Sequence, residues 1–505
     1  MADTVTRPGT GNIPTASPAV LTPQQNRVIW LLLAAAFVAI LNETTMGVAI
    51  PHLIDDLSIT AVAAQWLTTA FMLTMAVIIP ITGFLLRRFT TRTMFIAAMS
   101  LFSFGTLIAF LAPGFPVLLV ARVVQASGTA IMMPLLMTTL MVVVPAHARG
   151  RMMGRVSIVM SLAPAIGPTL SGVLLDTVGW RWIFGIVLPI ALVALFVGAR
   201  WIHNIGETSY APIDIPSVIL SAFGFGGIVY GLSQIGGAAS HGGGAEADAA
   251  AGASTNALII SLSVGVVALA LFIWRQVRLQ RTDDALLDLR VFRSTNFSLA
   301  IGQMTILSMA FFGAITVLPL YMQRVLELSP LTTGLAVLPG ALAMGLLGPT
   351  IGRIYDRWGT RVLLIPGSII TVGMLWFYST FDVSTPVWVI AVAQTVTSIG
   401  LAMSFTPLFT ASLGSLERKF YSYGSAVLGT VQQVAGAAGV AMLIAVMSSV
   451  QAAAEASGVD ELTAGAQGAQ AAFTLAAILS LPLLVGAFLI RKPADQIGAP
   501  AVAAH

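Results

Sequence analysis

A single acidic residue, Glu43, lies well inside one of the long apolar segments of this chain, the one from Val28 to Ile50. That segment is long enough to cross a bilayer, which takes about 20 apolar residues. An ionised carboxylate at mid-bilayer costs about 2.5–3.5 kcal/mol on insertion scales, so such a group normally faces a cavity. A carboxyl group that gains and loses a proton as its surroundings change is what a proton carrier requires. The alternative is a structural Glu that is hydrogen-bonded to its neighbours.

Arg122 is the only basic residue inside a predicted membrane span, the fourth. We expect it at a depth similar to that of Glu43, where a cation would favour the ionised carboxylate. Movement of Arg122 relative to Glu43, directly or through Gln125 one helical turn on, would change the affinity for a proton. The alternative is an Arg that only holds helices together. Glu43 and Arg122 are therefore the predicted proton-coupling pair.

Uncharged polar and flexible apolar side chains within the spans are candidates for lining a substrate cavity. Met and Phe offer an adaptable apolar wall, although most such residues in a span simply pack or face lipid. The candidates are Asn42, Gln125, Gln303, Met304, Phe312, Gln394, Gln432 and Gln433.

The composition excludes an ordinary soluble domain. Of the 505 residues 57% are hydrophobic and 9% are charged, whereas a soluble domain carries about 25% charged residues. The net charge of +4 comes from basic residues in short loops between apolar runs, which indicates membrane topology and not nucleic-acid binding. The chain has no Cys, and its His residues lack metal-ligand spacing. No catalytic constellation or phosphate-binding loop is present, so we expect no enzyme activity, no metal and no cofactor beyond a proton gradient.

The apolar runs predict fourteen membrane spans in an all-α polytopic membrane protein. With both termini in the cytoplasm, 21 of the 24 basic residues face inward and only Arg181 and Arg324 face outward, as the positive-inside rule requires. We expect a plasma-membrane protein, and the Ala-, Gly- and Arg-rich composition favours a bacterial source. The predicted regions are a disordered cytoplasmic tail (1–27), a six-helix bundle (28–204), two inserted helices (205–274), a cytoplasmic amphipathic linker read as an interfacial helix (275–296), a second six-helix bundle (297–490) and a cytoplasmic tail (491–505).

An internal repeat relates the two predicted bundles. The run GFLLRRFTTR, which starts at Gly83, follows the second span, and the run GRIYDRWGTR, which starts at Gly352, follows the tenth. A Pro lies three residues before each run, at Pro80 and Pro349. Two related halves around a central site are the usual construction of secondary transporters.

These motifs resemble the major facilitator superfamily, in its fourteen-span drug:proton antiporter branch. The run LNETTMGVAIP from Leu41 to Pro51 resembles the span-1 motif of that branch, and both copies of the repeat resemble the superfamily's loop motif. The run from Leu119 to Gly128 resembles the span-4 motif, and that from Ala163 to Gly172 resembles the span-5 antiporter motif. The variants LNET, RRFTTR and LDLRVFR are similar to the lincomycin-exporter-like subgroup. Asn42 and Arg87 stand where the family usually has Asp.

The resemblance implies the major facilitator fold, with two six-helix bundles plus two extra helices. It also implies a seal or hinge in span 5, for which simple close packing of small residues is the alternative. The gating candidates are Pro164, Gly167, Pro168 and Gly172.

The residues of the two repeated cytoplasmic loops predict a charge latch between helices that breaks when the bundles rock. The alternative is that these charges only set the membrane topology. The latch candidates are Gly83, Arg88, Arg92, Gly352, Asp356, Arg357 and Arg361.

The expected function is proton-coupled export of lipophilic small molecules such as drugs or antibiotics, by alternating access. An exporter or flippase of an endogenous lipid or metabolite on the same fold is the alternative. A membrane enzyme would need a catalytic constellation, and a channel would need a filter-like segment. The expected partners are a lipophilic substrate, protons and membrane lipids, with no nucleic acid and a monomeric state.

Overall fold

The computed structural model describes residues 22–204, 212–238 and 245–493. All regular secondary structure within these ranges is helical, and fourteen helical segments are long and apolar enough to cross a membrane. The predicted fold class is therefore confirmed. The helices are α1 (Pro23–Leu57), α2 (Ala61–Arg88), α3 (Thr91–Phe110), α4 (Phe115–Val143), α5 (Arg149–Thr177), α6 (Arg181–Trp201), α7 (Ile215–Ala238), α8 (Ala245–Leu279), α9 (Thr295–Arg324), α10 (Pro330–Trp358), α11 (Arg361–Tyr378), α12 (Val387–Gly414), α13 (Tyr421–Ala456), α14 (Glu461–Ser480) and α15 (Pro482–Leu489), with α14 and α15 forming one broken span.

The helix starts follow local capping chemistry. Thr22 forms a capping box with Gln25, and Pro23 stands in the first turn, where its missing N–H leaves no bond unmade. The first helix consequently begins inside the segment 1–27 that we expected to be disordered, and that expectation was wrong for residues 23–27. Residues 1–21 lie outside the described ranges.

Helices α1, α3, α4 and α6 pack mainly within a first bundle, and α9, α11, α12, α14 and α15 pack mainly within a second, whereas α5 and α10 pack most extensively on each other across the two bundles. In the first bundle α3 packs on α4 and α6, and α1 packs on α4, α5 and α6. In the second, α13 packs on α9 and α14, while α12 packs on α10 and α11. We call the membrane side at which α2, α4, α8, α10 and α12 end the basic face, because the Arg-rich turns lie there.

Helices α7 and α8 form a hairpin that lies against both bundles. Gly227 and Gly265 bring the two backbones together, since a Cβ on either would lie within about 3 Å of the other helix. At the basic face the Arg275 guanidinium donates to both carboxylate oxygens of Asp214, at 2.6 and 2.7 Å, which lowers the pKa of that carboxyl. Helix α7 packs on α2 and on α13, so the hairpin contacts both halves of the molecule.

The segment that joins α8 to α9 is not the interfacial helix we expected. After Leu279 the chain turns through Asp283, which has a φ of 59°, and only Leu289–Arg293 form a short 3-10 turn. Its apolar side chains Leu286, Leu287 and Val291 are buried against the helix ends. Tertiary contacts override the helical periodicity here: Leu287 N–H donates to the Gln276 side chain at 3.1 Å.

Candidate functional site

A buried polar cluster joins α1, α3 and α4. Arg122 Nη1 donates to Asn42 Oδ1 at 3.2 Å and to Gln125 Oε1 at 2.6 Å. Gln125 Nε2 in turn donates to Thr106 Oγ1 at 2.8 Å. Arg122 therefore contacts Asn42 directly, the residue before Glu43 in the sequence, and Gln125 extends the cluster to α3.

Arg122 is a fully buried cation, with 1% of its surface exposed. Its guanidinium carbon lies 4.1 Å from the centre of the Phe71 ring, which is cation–π geometry. Two buried donors of the cluster, Arg122 Nε and Asn42 Nδ2, have no hydrogen-bond partner in the described part of the chain. A buried donor without a partner lowers the stability of the protein, so a further hydrogen-bond acceptor would be stabilised at this position.

Glu43 lies beside this cluster, next in sequence to Asn42, and its side chain is partly exposed. No ion pair within 4 Å joins Glu43 to a basic residue of the described ranges. The carboxylate is thus a neighbour of Arg122 without being bound to it. No group of three metal-ligating side chains is found among the described residues either.

The span-5 motif packs α5 tightly against α1 next to Glu43. Ser171 Oγ donates to the Thr45 carbonyl at 2.9 Å, and a Cβ at Gly167 would collide with Thr44 Oγ1. Gly172 faces open space. Pro164 is partly exposed in the middle of α5, and the side chain of Pro168 lies outside the described residues. Small residues here permit close helix approach, and their gating role remains a prediction.

The structure separates the eight cavity candidates into two groups. Two of the buried candidates bond to neighbouring helices. Gln303 donates to the Pro482 carbonyl at 3.2 Å, where α14 breaks into α15. Gln394 accepts from Tyr378 Oη at 2.7 Å and lines a small cavity between α9, α11 and α12. Phe312 packs edge-on against Phe311, with ring centres 5.0 Å apart. The buried group is Asn42, Gln125, Gln303, Met304 and Gln394, and the partly exposed group is Phe312, Gln432 and Gln433.

Near the basic face α5 and α10 meet through two pairs of glycines. Gly150 and Gly154 on α5 face Gly352 and Gly348 on α10, and a Cβ on any of the four would collide with backbone of the facing helix. Glycines four residues apart on both helices are the pattern that lets two helix backbones touch in a membrane. The sequence analysis missed the pair on α5, although its spacing was visible.

Asp356 ties the same two helices together. Its carboxylate accepts from the backbone N–H groups of Gly150 at 2.7 Å and Arg151 at 2.8 Å. These are unpaired donors of the first turn of α5, where a negative charge is favourable. Gly352 and Asp356, two of the predicted latch residues, therefore lie at a contact between the two bundles.

The other copy of the repeat makes the corresponding contact with different chemistry. Gly83 on α2 packs on α13, where a Cβ would lie 3.0 Å from the Ala426 side chain. Arg87 occupies the repeat position of Asp356, and its Nη1 donates to Tyr423 Oη of α13 at 3.0 Å. Tyr423 Oη donates to the carbonyl of Ala285 in the α8–α9 segment, also at 3.0 Å. This contact between α2 and α13 therefore includes the segment that follows the inserted hairpin.

The remaining predicted latch residues are arginines near the basic-face ends of α2, α3, α10 and α11. Arg92, Arg357 and Arg361 are exposed, and Arg357 lies 5.2 Å from the ring of its neighbour Trp358. Arg88 lies over the ring of Phe89. The sequence showed Arg87 only as a departure from the family motif, and its partner on α13 could not be predicted because nothing in the sequence pairs Tyr423 with Arg87.

Further contacts close the basic face between the bundles. Ser157 of α5 hydrogen-bonds Thr406 of α12 at 2.9 Å, and Thr138 of α4 hydrogen-bonds Ser425 of α13 at 2.8 Å. Arg149 donates to Tyr421 Oη at 3.2 Å. These residues all lie toward the basic-face ends of their helices. We infer that the structure is the state in which the two bundles meet at the basic face.

Comparison with known proteins places the chain in a family. The model of the Major Facilitator Superfamily matches residues 32–440. The uncharacterized MFS-type transporter YcnB of Bacillus subtilis is 43% identical, over 92% of this chain and 95% of that protein. The lincomycin resistance protein LmrB of Bacillus subtilis is 38% identical, over 82% of this chain and 84% of that protein.

A solved structure agrees on the fold. The human organic anion transporter MFSD10 superposes with a TM-score of 0.66 over 92% of this chain and 100% of that one, at 14% sequence identity. At that identity the likeness concerns the fold alone. The motifs, the helices and the relatives agree: the chain is a multi-pass membrane transporter that belongs to the Major Facilitator Superfamily.

Proposed function

We propose that this protein is a proton-coupled antiporter that exports lipophilic small molecules across the plasma membrane of a bacterium by alternating access. The observation that carries the proposal is the partly exposed Glu43 carboxylate beside the buried Arg122–Asn42–Gln125 cluster. An ionised carboxyl at this depth raises the free energy of membrane insertion, so its presence indicates a functional role.

The cluster supports a two-position mechanism. In the present state Asn42 and Gln125 hold one end of the guanidinium, and Arg122 Nε has no partner among the described residues. A small movement of α1 relative to α4 would let the ionised Glu43 accept from Arg122. A protonated Glu43 needs no cation and would release it. The proton and the arrangement of α1 and α4 are thereby linked, as coupling requires.

Two contacts between the bundles at the basic face account for alternating access. The α5–α10 glycine contact and the α2–α13 contact are both interfaces between the bundles at the basic face. Rocking of one bundle against the other would break both and open the cavity to that face, which the positive-inside rule assigns to the cytoplasm.

The substrate class follows from the charge balance and the relatives. When Glu43 is ionised, Arg122 partly offsets its negative charge, so the site favours a neutral or singly cationic amphiphile. A dication would bring a second positive charge for which the site has no partner. Phe312, Gln432 and Gln433 are the partly exposed candidates for contact. Relatives named lincomycin resistance protein and multidrug resistance protein B homolog favour drug export over export of an endogenous lipid or metabolite.

Transport in vesicles tests the proposal. In proteoliposomes with the membrane potential clamped by potassium and valinomycin, an acidic interior is expected to drive uptake of the lipophilic monocation tetraphenylphosphonium. Collapse of the pH gradient with a protonophore should stop it. Equal uptake with and without the pH gradient would contradict proton coupling. A panel of drugs and lipids in the same vesicles separates the two substrate classes.

Cys labelling from outside the cell tests which side of the membrane each loop faces. Because the chain has no Cys, single Cys residues at Ser58, Ser384, Arg200 and Ser415 report their side of the membrane without background. We expect a membrane-impermeant maleimide applied to whole cells to label the first two positions and not the last two. Labelling of Arg200→Cys or Ser415→Cys from outside would reverse the topology.

A further inference from the structure

A groove lies at the basic face between the start of α9, the end of α12 and the segment after α15. Its volume is about 580 Å³, and it opens to the surface. The lining includes the polar side chains of Thr295 and Ser415, the apolar side chain of Leu299, and two cations, Arg491 and Lys492. No acidic residue contributes to the described lining.

The two cations are held in place by contacts that need no ligand. Asn296 binds the backbone of Arg491 from both sides: its Nδ2 donates to the Arg491 carbonyl and its Oδ1 accepts from the Arg491 N–H, each at 3.0 Å. Lys492 Nζ donates to the Asp356 carbonyl at 2.7 Å. Among the described residues no carboxylate lies within 4 Å of either cation. The backbone of Arg491 and the ammonium of Lys492 are therefore held at the groove. Neither cation has an ion pair among the described residues, and the Asp356 carboxylate offsets part of the charge of Lys492 from a greater distance.

An apolar track leads from the bilayer to this groove. Helix α15 exposes Val485 and Phe488, at 66% and 55% of their surface, together with Leu481 and Leu489. These positions share one face of the helix, and in a membrane span that face contacts lipid chains. The groove lies at the end of this face, where Leu489 is followed by the cations Arg491 and Lys492.

We propose that the groove binds an anionic phospholipid, with its phosphate at Arg491 and Lys492 and its acyl chains along the exposed face of α15. Charge complementarity selects the headgroup, since basic pockets between spans on the cytoplasmic side suit anionic lipids. The apolar track selects a lipid over a free anion. The bond from Lys492 to Asp356 connects the bound lipid to the α5–α10 gate.

Lipid binding to the purified full-length chain tests the proposal. Native mass spectrometry would compare phosphatidylglycerol and phosphatidylcholine of identical acyl chains, for wild type, Arg491→Gln and Arg491→Gln/Lys492→Gln. Each removed charge is expected to weaken phosphatidylglycerol binding about fivefold, with phosphatidylcholine unaffected. Arg200→Gln is the matched control, because it removes an exposed cation from the same face of the other bundle. We expect it to bind phosphatidylglycerol as the wild type does.

Several outcomes would overturn the proposal. They are equal binding of both lipids, unchanged binding by the double variant, an equal loss in Arg200→Gln, or displacement of the lipid by inorganic phosphate at equal concentration. Binding that appears only after removal of residues 494–505 would make that segment the occupant. Arg491→Lys, which keeps the charge, should bind as the wild type does. The melting temperature of each variant without lipid verifies that it is folded.

Discussion

Replacement of Glu43 by Gln is expected to abolish proton-driven accumulation of substrate. A gradient of one pH unit supplies about 1.4 kcal/mol per proton, so exchange of one proton for one neutral substrate supports an accumulation of about tenfold. The variant cannot exchange a proton at this position and should accumulate none. The amide has nearly the same size as the carboxyl and keeps the partly exposed position beside Asn42, so folding and insertion should persist. Uptake into proteoliposomes with an acidic interior measures the effect.

Two controls separate lost coupling from lost transport. Exchange of labelled for unlabelled substrate needs no gradient, and the Glu43→Gln protein should retain it. Glu43→Asp keeps a titratable group and should keep coupling at a lower rate. Substrate binding by the wild type should weaken on acidification by up to about tenfold per pH unit, as linkage to one proton requires, while the Gln variant should show no pH dependence. Full accumulation by Glu43→Gln would exclude Glu43 as the coupling group.

Replacement of Gly154 by Leu is expected to hold the basic face open and to stop transport. A Cβ at this position would collide with the backbone carbonyl of Gly348 on the facing helix, and backbone of a packed helix cannot yield as the tip of a side chain can. Overpacking of this kind costs about 1–3 kcal/mol, which shifts a two-state equilibrium about fivefold to more than a hundredfold. Since only the closed state contains this contact, the open state gains population.

The position of the equilibrium is measurable through Thr406, which is buried at the closed interface where it bonds Ser157. Thr406→Cys in the Cys-free chain should react with maleimide faster when Gly154→Leu is present. Gly373→Leu is the control, because a Cβ there has open space around it, and it should change neither labelling nor transport. Normal transport by Gly154→Leu would mean that the α5–α10 contact is not part of the transport cycle.

The membrane-spanning helices were readable from the chain alone, for a physical reason. A helix satisfies its backbone polar groups within one segment, whereas a strand in lipid needs a closed barrel of alternating apolar and polar residues, so a continuous apolar run of about 20 residues predicts a helix. The same reasoning marks Glu43, because a carboxyl in an apolar run is rare enough to be noticed without any partner. Gly352 was visible too, as part of the repeat.

The pairing of side chains was decided by the tertiary structure. Three contacts depend on which helices are neighbours: Arg122 with Asn42, Arg87 with Tyr423, and Gln394 with Tyr378. Membrane helices of similar hydropathy do not encode their neighbours in the apolar pattern, since van der Waals packing and a few hydrogen bonds choose them. The α8–α9 segment shows the same limit, because burial of Leu286 and Val291 against the helix ends outweighed a local pattern that predicted a helix.

The sequence by itself thus determined the fourteen spans and the one membrane carboxylate, since each follows from the chemistry of a single segment in lipid, and the repeat, since two segments of a chain can be compared without their structure. Only the tertiary structure decided which face is closed, which glycines touch and which cations of the described residues have no ion pair, since each of these depends on segments distant in the chain coming together.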